Sequence, residues 1–121
     1  MNRLFEKQLN EMARVGTFNK YNVSVYSGEG NIPHFHFYNI ETNTQGCIRI
    51  DKAEYFSHNG KEAKLNSRQI KDLIEWLNSK HGFLKITMWE YILVLWNDNN
   101  INNQIKTQIS MPDYTKLNEN N

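Results

Sequence analysis

The sequence predicts an α+β fold: a small antiparallel sheet of three to four strands packed on one main helix, with additional N- and C-terminal helices. Three patterns carry that expectation. "YNVSVYS", "HFHFYN" and "CIRID" alternate in polarity with a period of two, as half-buried strands do. "SRQIKDLIEWLNSK" instead repeats its apolar residues every three or four positions, as an amphipathic helix does. The length of 121 residues suits one domain with its own core, since domains cluster at about 100–150 residues.

The elements follow in chain order. "NRLFEKQLNEMARVG" puts Phe5, Leu9 and Met12 on one face, which predicts an N-terminal helix over 2–15 with Gly16 as its stop. The α+β body spans 20–97. Its first strand holds Tyr21, Val23 and Val25 on one face and Asn22, Ser24 and Tyr26 on the other. "GEGN" is a turn by composition. In "HFHFYN", Phe35 and Phe37 face the core while His34, His36 and Tyr38 face away. In "CIRID", Ile48 and Ile50 join the Phe face, and Cys47, Arg49 and Asp51 join the His face. "AEYFSHNGKEAKL" reads as a further strand-like segment ending in an Asn59-Gly60 turn.

The main helix is expected from about Ser67 to Lys80, with Ile70, Leu73, Ile74 and Leu77 as its stripe. Asn66 fits its N-cap, with Gln69 three residues on and Leu65 stapled against Ile70; His81 and Gly82 close it. In "KITMWEYILVLWNDNN", Thr87 and Glu90 form a capping-box pattern ahead of the stripe Trp89, Ile92, Leu93 and Trp96. Its middle, "YILVLW", also has the composition of a buried strand, and the cap favours helix. The expected core centres on Phe35, Phe37, Ile48, Ile50, Ile70, Leu73, Ile74, Leu77, Trp89, Ile92 and Trp96. Residues 98–121 read as a polar, loosely ordered tail, with "QIKTQISM" the stretch best suited to an edge strand.

Charge and cysteine content narrow the function classes. Fourteen Lys and Arg against thirteen Asp and Glu leave a net charge of +1, which gives no broad drive toward nucleic acid or acidic membrane. No apolar run approaches the ~20 residues of a membrane span, and the charged N-terminal stretch is not a secretory signal. The single Cys47 has no internal partner for a disulfide, in keeping with a reducing cytoplasm.

"IPHFHFYN…GCIRID…LNSRQIKDLIEWLNSKH…W" resembles the small bacterial family called domain of unknown function 4160. Pro33, His34, Phe35 and His36 match that family's Pro-Pro-His-Phe-His strand, except that Ile32 replaces the first Pro. Trp76 matches the helix Trp, and Trp96-Asn97 resembles the common ending. The resemblance covers residues 20–97. It implies the fold and a setting in bacteriophage, mobile elements or toxin–antitoxin-like gene pairs, and it supplies no catalytic residues.

His34 and His36 lie two apart on a strand, so they share one face. Such a pair can contribute two ligands to a metal, with Cys47, Asp51 or His58 completing the set; none of these stands at a diagnostic spacing. The pair can equally act as general acid and base, with Arg49 stabilising a phosphate-like charge. The third reading is a docking surface of His34, His36, Tyr38 and Arg49, because Tyr and Arg favour protein interfaces. With only two ligands well placed, the sequence favours this last reading: a cytoplasmic protein-interaction module, of bacterial or phage origin, with no cofactor. A protein partner is expected, nucleic acid is not indicated by net charge, and a homo-oligomer is left open. The alternative is an RNase-like or metal-dependent hydrolase using His34 and His36. Convergence separates the two. An enzyme needs both imidazoles and Arg49 or a carboxylate around one concavity, whereas a binder needs an exposed, shallow face.

Overall fold

The computed structural model describes residues 12–58, 60 and 62–119. Four strands, β1 (Met12–Phe18), β2 (Tyr21–Tyr26), β3 (His34–Asn39) and β4 (Thr44–Arg49), form one antiparallel meander in the order β1-β2-β3-β4. Asn19 and Lys20 make the first hairpin with φ of 46° and 66°, the left-handed pair that a tight two-residue turn requires. The register pairs Phe35 with Ile48 and His36 with Cys47, so the two faces assigned from alternation are the faces observed. Val23, Val25, Phe35, Phe37, Ile48 and Ile50 are fully buried on the inner side.

The helix expected over 2–15 is corrected where it can be seen. Residues 12–15 belong to β1, and residues 2–11 lie outside the described residues. Gly16 is no helix stop: it sits in β1 just after a bulge, where the register shifts between Arg14 and Gly16. A Cβ there would come within 2.9 Å of the Trp76 ring, so the glycine lets the helix layer approach the strand.

Helices α1 (Ser67–Asn78) and α2 (Met88–Asn99) cover the inner face, and both begin with the predicted capping boxes. Asn66 accepts from the Gln69 backbone N–H at 2.8 Å, and Thr87 accepts from that of Glu90 at 3.1 Å. The "YILVLW" ambiguity resolves to helix. Leu73, Leu77, Ile92 and Trp96 are fully buried, whereas Ile74 and Trp76 are half-buried, Trp76 stacking on Phe18. His81 does not close α1, which ends at Asn78 with Ser79 as its cap. Its ring Nδ1 instead accepts from the Phe83 and Leu84 backbone N–H groups and shapes the connecting loop.

The tail reading also needs correction. Tyr114 and Leu117, in the 3-10 turn Tyr114–Glu119, are fully buried, and the Tyr114 hydroxyl donates to the Arg49 carbonyl at 2.6 Å. "QIKTQISM" forms no strand; Ile105, Ile109 and Met111 lean on the core as irregular chain. Asparagines anchor the path: the Asn97 side chain bridges to Ile105, and Asn100 donates to the Tyr26 carbonyl. A segment without apolar periodicity can still carry two core anchors, and here it does.

The described residues of 52–58 and 62–63 pass along the outer edge of β4 as a strap and not as a fifth strand. Tyr55 makes an isolated bridge to Ile48, and backbone bonds join Arg49 to Glu54, Cys47 to Phe56 and Gln45 to Ala63. Gly46 is what lets the strap lie so close, because a Cβ there would meet the Ala63 carbonyl oxygen at 2.7 Å as well as the Phe37 ring. Gly46→Ala is therefore expected to cost about 1–3 kcal/mol, the usual overpacking range, in a urea melt. A change within about 0.5 kcal/mol would mean that the strap yields freely.

Candidate functional site

The site forms where three elements meet: the β2–β3 loop, the outer face of β3 and β4, and the strap. Alternation sends His34 and His36 outward from β3, and antiparallel pairing sets Cys47 directly opposite His36. The strap then brings His58 over both imidazoles, with ring centroids 5.0 Å from His34 and 5.3 Å from His36. Glu62 holds the strap in this shape, accepting from the His58 backbone N–H at 2.7 Å and the Ser57 hydroxyl at 2.9 Å.

His34, His36, Cys47 and His58 each offer a ligand atom within 4.8 Å of the others. In a tetrahedral zinc site with bonds of about 2.0–2.3 Å, neighbouring donors lie roughly 3.3–3.7 Å apart. The His34 Nε2 to His58 Nε2 distance is 3.1 Å, close to that spacing.

Glu29 completes the constellation. Its Oε1 is 3.1 Å from His34 Nε2, in still closer contact with His36 Nε2, and 3.7 Å from His58 Nε2. Three imidazole nitrogens thus converge on one carboxylate oxygen. Burial alone would raise the Glu29 carboxyl, but hydrogen bonds from His34 and His36 and their charge outweigh it and hold it well below the usual carboxylate range. The Cys47 thiol is pushed up to about 12, by burial first and then by the negative charge of Glu29 and Glu62.

The tautomer of His34 sharpens the picture. Its Nδ1–H donates to the Ile32 carbonyl at 2.7 Å, which turns Nε2 toward both the Glu29 oxygen and the His58 nitrogen. Only a proton or a cation between such groups makes the contact favourable. A ring whose far nitrogen is fixed by a backbone carbonyl is also how metal-ligating histidines are usually oriented. Cys47 Sγ lies 3.3 Å from Nδ1 of His36 and 4.0 Å from Nε2, so the thiol supports the far side of that ring.

The remaining candidates separate from this cluster. Arg49, opposite His34 in the register, clamps Asp51 through two 2.9 Å bonds and lies 3.8 Å from Glu54, so its guanidinium is committed to carboxylates outside the cluster. Tyr38 shares the outer face but bonds to Asn43. His34 is 0% exposed, enclosed by the rings of Phe56 at 4.4 Å and Trp96 at 5.6 Å, so it offers no surface for docking. His36 is partly open. It borders a cavity of about 170 Å³ shared with Cys47, His58 and Glu62, and a groove of about 440 Å³ across the outer sheet face. Glu29 and Glu62 were not legible as site residues. An acidic residue between Gly28 and Gly30 reads as a turn, and only the positive φ of both glycines turns it inward.

No family model matches the chain, and no curated protein or solved structure matches it either. The site must be read from its own chemistry. Among the described residues, no helix is long and apolar enough to cross a membrane.

Proposed function

We propose that the chain is a small metal-dependent hydrolase. In this reading His34, His36 and His58 hold one zinc-class divalent ion through Nε2, and Glu29 is the general base. The observation that carries it is the convergence of those three nitrogens on the Glu29 carboxylate, beside a cavity that His36 and His58 line. Three imidazoles leave one position of a tetrahedral site for water, as catalytic zinc sites do. A bound ion would supply a more acidic water and charge stabilisation for the transition state. Glu29, on its glycine-flanked loop, takes the proton from the attacking water. The water oxygen bonds to the ester centre, the bond to the leaving oxygen breaks, and the proton passes from Glu29 to that oxygen. Cys47 and the Ile32 carbonyl position His36 and His34 from behind.

His34 has no surface through which to dock, and both imidazoles contact the Glu29 carboxylate, so docking has less support here than ion binding. Untagged protein is expected to carry about one equivalent of zinc-class ion by elemental analysis, the stoichiometry of one three-His set. His58→Gln should lose the ion. Glu29→Gln should keep it and lose hydrolysis of bis(p-nitrophenyl) phosphate. Cys47→Ser should keep it with affinity lowered about 10–100-fold, as for other groups that orient ligands. A folded chain that takes up no zinc, manganese or nickel on dialysis would rule the proposal out.

A further inference from the structure

We infer that the outer face of the sheet binds single-stranded RNA and leads it to the histidine site. The cleavage part of this inference rests on the hydrolytic reading above; the binding part stands without it. The groove of about 440 Å³ touches all four strands and adjoins the smaller cavity, with which it shares His36 and Gln45. The register builds it as cross-strand rows. Arg14 pairs with Ser24, Ser24 with His36 and His36 with Cys47, so one row runs straight from an arginine to the site. Adjacent strands lie about 4.8 Å apart, which puts Arg14 roughly 10 Å from His36 along that row. The next row carries Asn22, Tyr38 and Gln45.

The chemistry of this face selects the occupant. Among the described residues, Arg14 is the one Lys, Arg, Asp or Glu side chain lining the groove; the Glu29 carboxylate meets it only through His36. Among the described residues the lining therefore carries one positive side chain and no carboxylate of its own, although the chain as a whole is nearly balanced. Tyr38 is half-buried on the groove, and Tyr26 lies 4.6 Å from the His36 ring, centroid to centroid. Aromatic residues on the open face of a four-stranded antiparallel sheet are a standard means of stacking unpaired bases. Amides such as Asn22 and Gln45 both donate and accept, which matches base edges, and the Ser24 hydroxyl can do the same for a ribose 2′-hydroxyl. An arginine takes a phosphate. Stacking, amide contacts and one phosphate contact define a ligand that the overall charge alone does not reveal.

Fluorescence anisotropy of the full chain with a short labelled oligouridine, and with the matching oligothymidine, tests this directly. Binding of the RNA is expected, with the DNA weaker. The salt slope of log K should be near −0.7, the value for about one neutralised phosphate on a single strand. Tyr38→Ala should weaken RNA binding about tenfold, Tyr38→Phe should restore it, and Arg14→Ala should flatten the salt slope. Circular dichroism and metal content of these variants should match the parent. No RNA binding, equal binding of DNA, or an affinity indifferent to Tyr38→Ala would overturn the inference. Metal and phosphodiester hydrolysis without RNA binding would sink this inference alone, whereas RNA binding by a chain that takes up no metal would sink the hydrolytic reading alone.

Discussion

Removing residues 104–121 is expected to lower stability by about 4 kcal/mol or more, enough to unfold a domain of this size in ordinary buffer. Tyr114 and Leu117 are both fully buried, and each leaves a large hole when removed. Burial of one such side chain is worth about 1.5–3 kcal/mol in transfer alone, and the cavity adds to it. The truncation also strips the bond from the Tyr114 hydroxyl to the Arg49 carbonyl, beside the strap. A urea melt of the shortened chain that matches full length would show that the core closes without this segment. The double variant Tyr114→Phe, Leu117→Met, which keeps volume, should lose under half as much and separates packing from mere length.

Trp96→Ala is expected to cost about 3–5 kcal/mol, the range for emptying a large aromatic site. Trp96 is fully buried, its indole N–H donates to the Asn103 carbonyl at 2.9 Å, and its ring lies 5.6 Å from that of His34. The loss should therefore appear twice: as reduced stability, and as weakened metal binding when the wall behind His34 collapses. Trp96→Phe should recover much of the first. Equal thermal melts for Trp96→Ala and the parent would place the indole outside the core.

Much of the architecture was legible because local and tertiary signals agreed. Asn66 with Gln69 and Thr87 with Glu90 name the starts of both helices, since a capping box is satisfied within four residues. Period-two alternation assigns Phe35, Phe37, Ile48 and Cys47 to their faces without knowledge of the fold. What could not be read depends on contacts far apart in the chain. Met12 fits a helical stripe with Phe5 and Leu9, yet Met12, Ala13 and Arg14 pair with β2, because sheet hydrogen bonds override a weak helical pattern. Tyr114 lies within the stretch expected to be a polar tail; its partner carbonyl at Arg49 lies 65 positions away.

The site divides the same way. His34, His36 and Cys47 follow from strand geometry once the hairpin register is known. His58 enters only because the strap pairs with the edge of β4, and Glu29 only because two glycines adopt left-handed φ. Asp51 is lost to the set because Arg49, two residues before it, claims both of its oxygens. His34 was expected on a wet face and is dry because Phe56 and Trp96 close over it.

The strap that lies along β4 has a consequence for the energy landscape of the native state. Its few backbone bonds to that edge, reached through Gly46, form a unit that can open while the rest of the sheet stays shut. His58 rides on this unit, whereas His34 and His36 ride on an inner strand. Anything that ligates all three ties the unit to the sheet, so its occupancy should register as slowed amide exchange at Phe56 and Ala63 far more than at Val23 or Phe37. The same arrangement makes His58 the imidazole of the three whose position depends on an edge segment: local opening of that segment would move it away from His34 and His36 while the sheet stays paired.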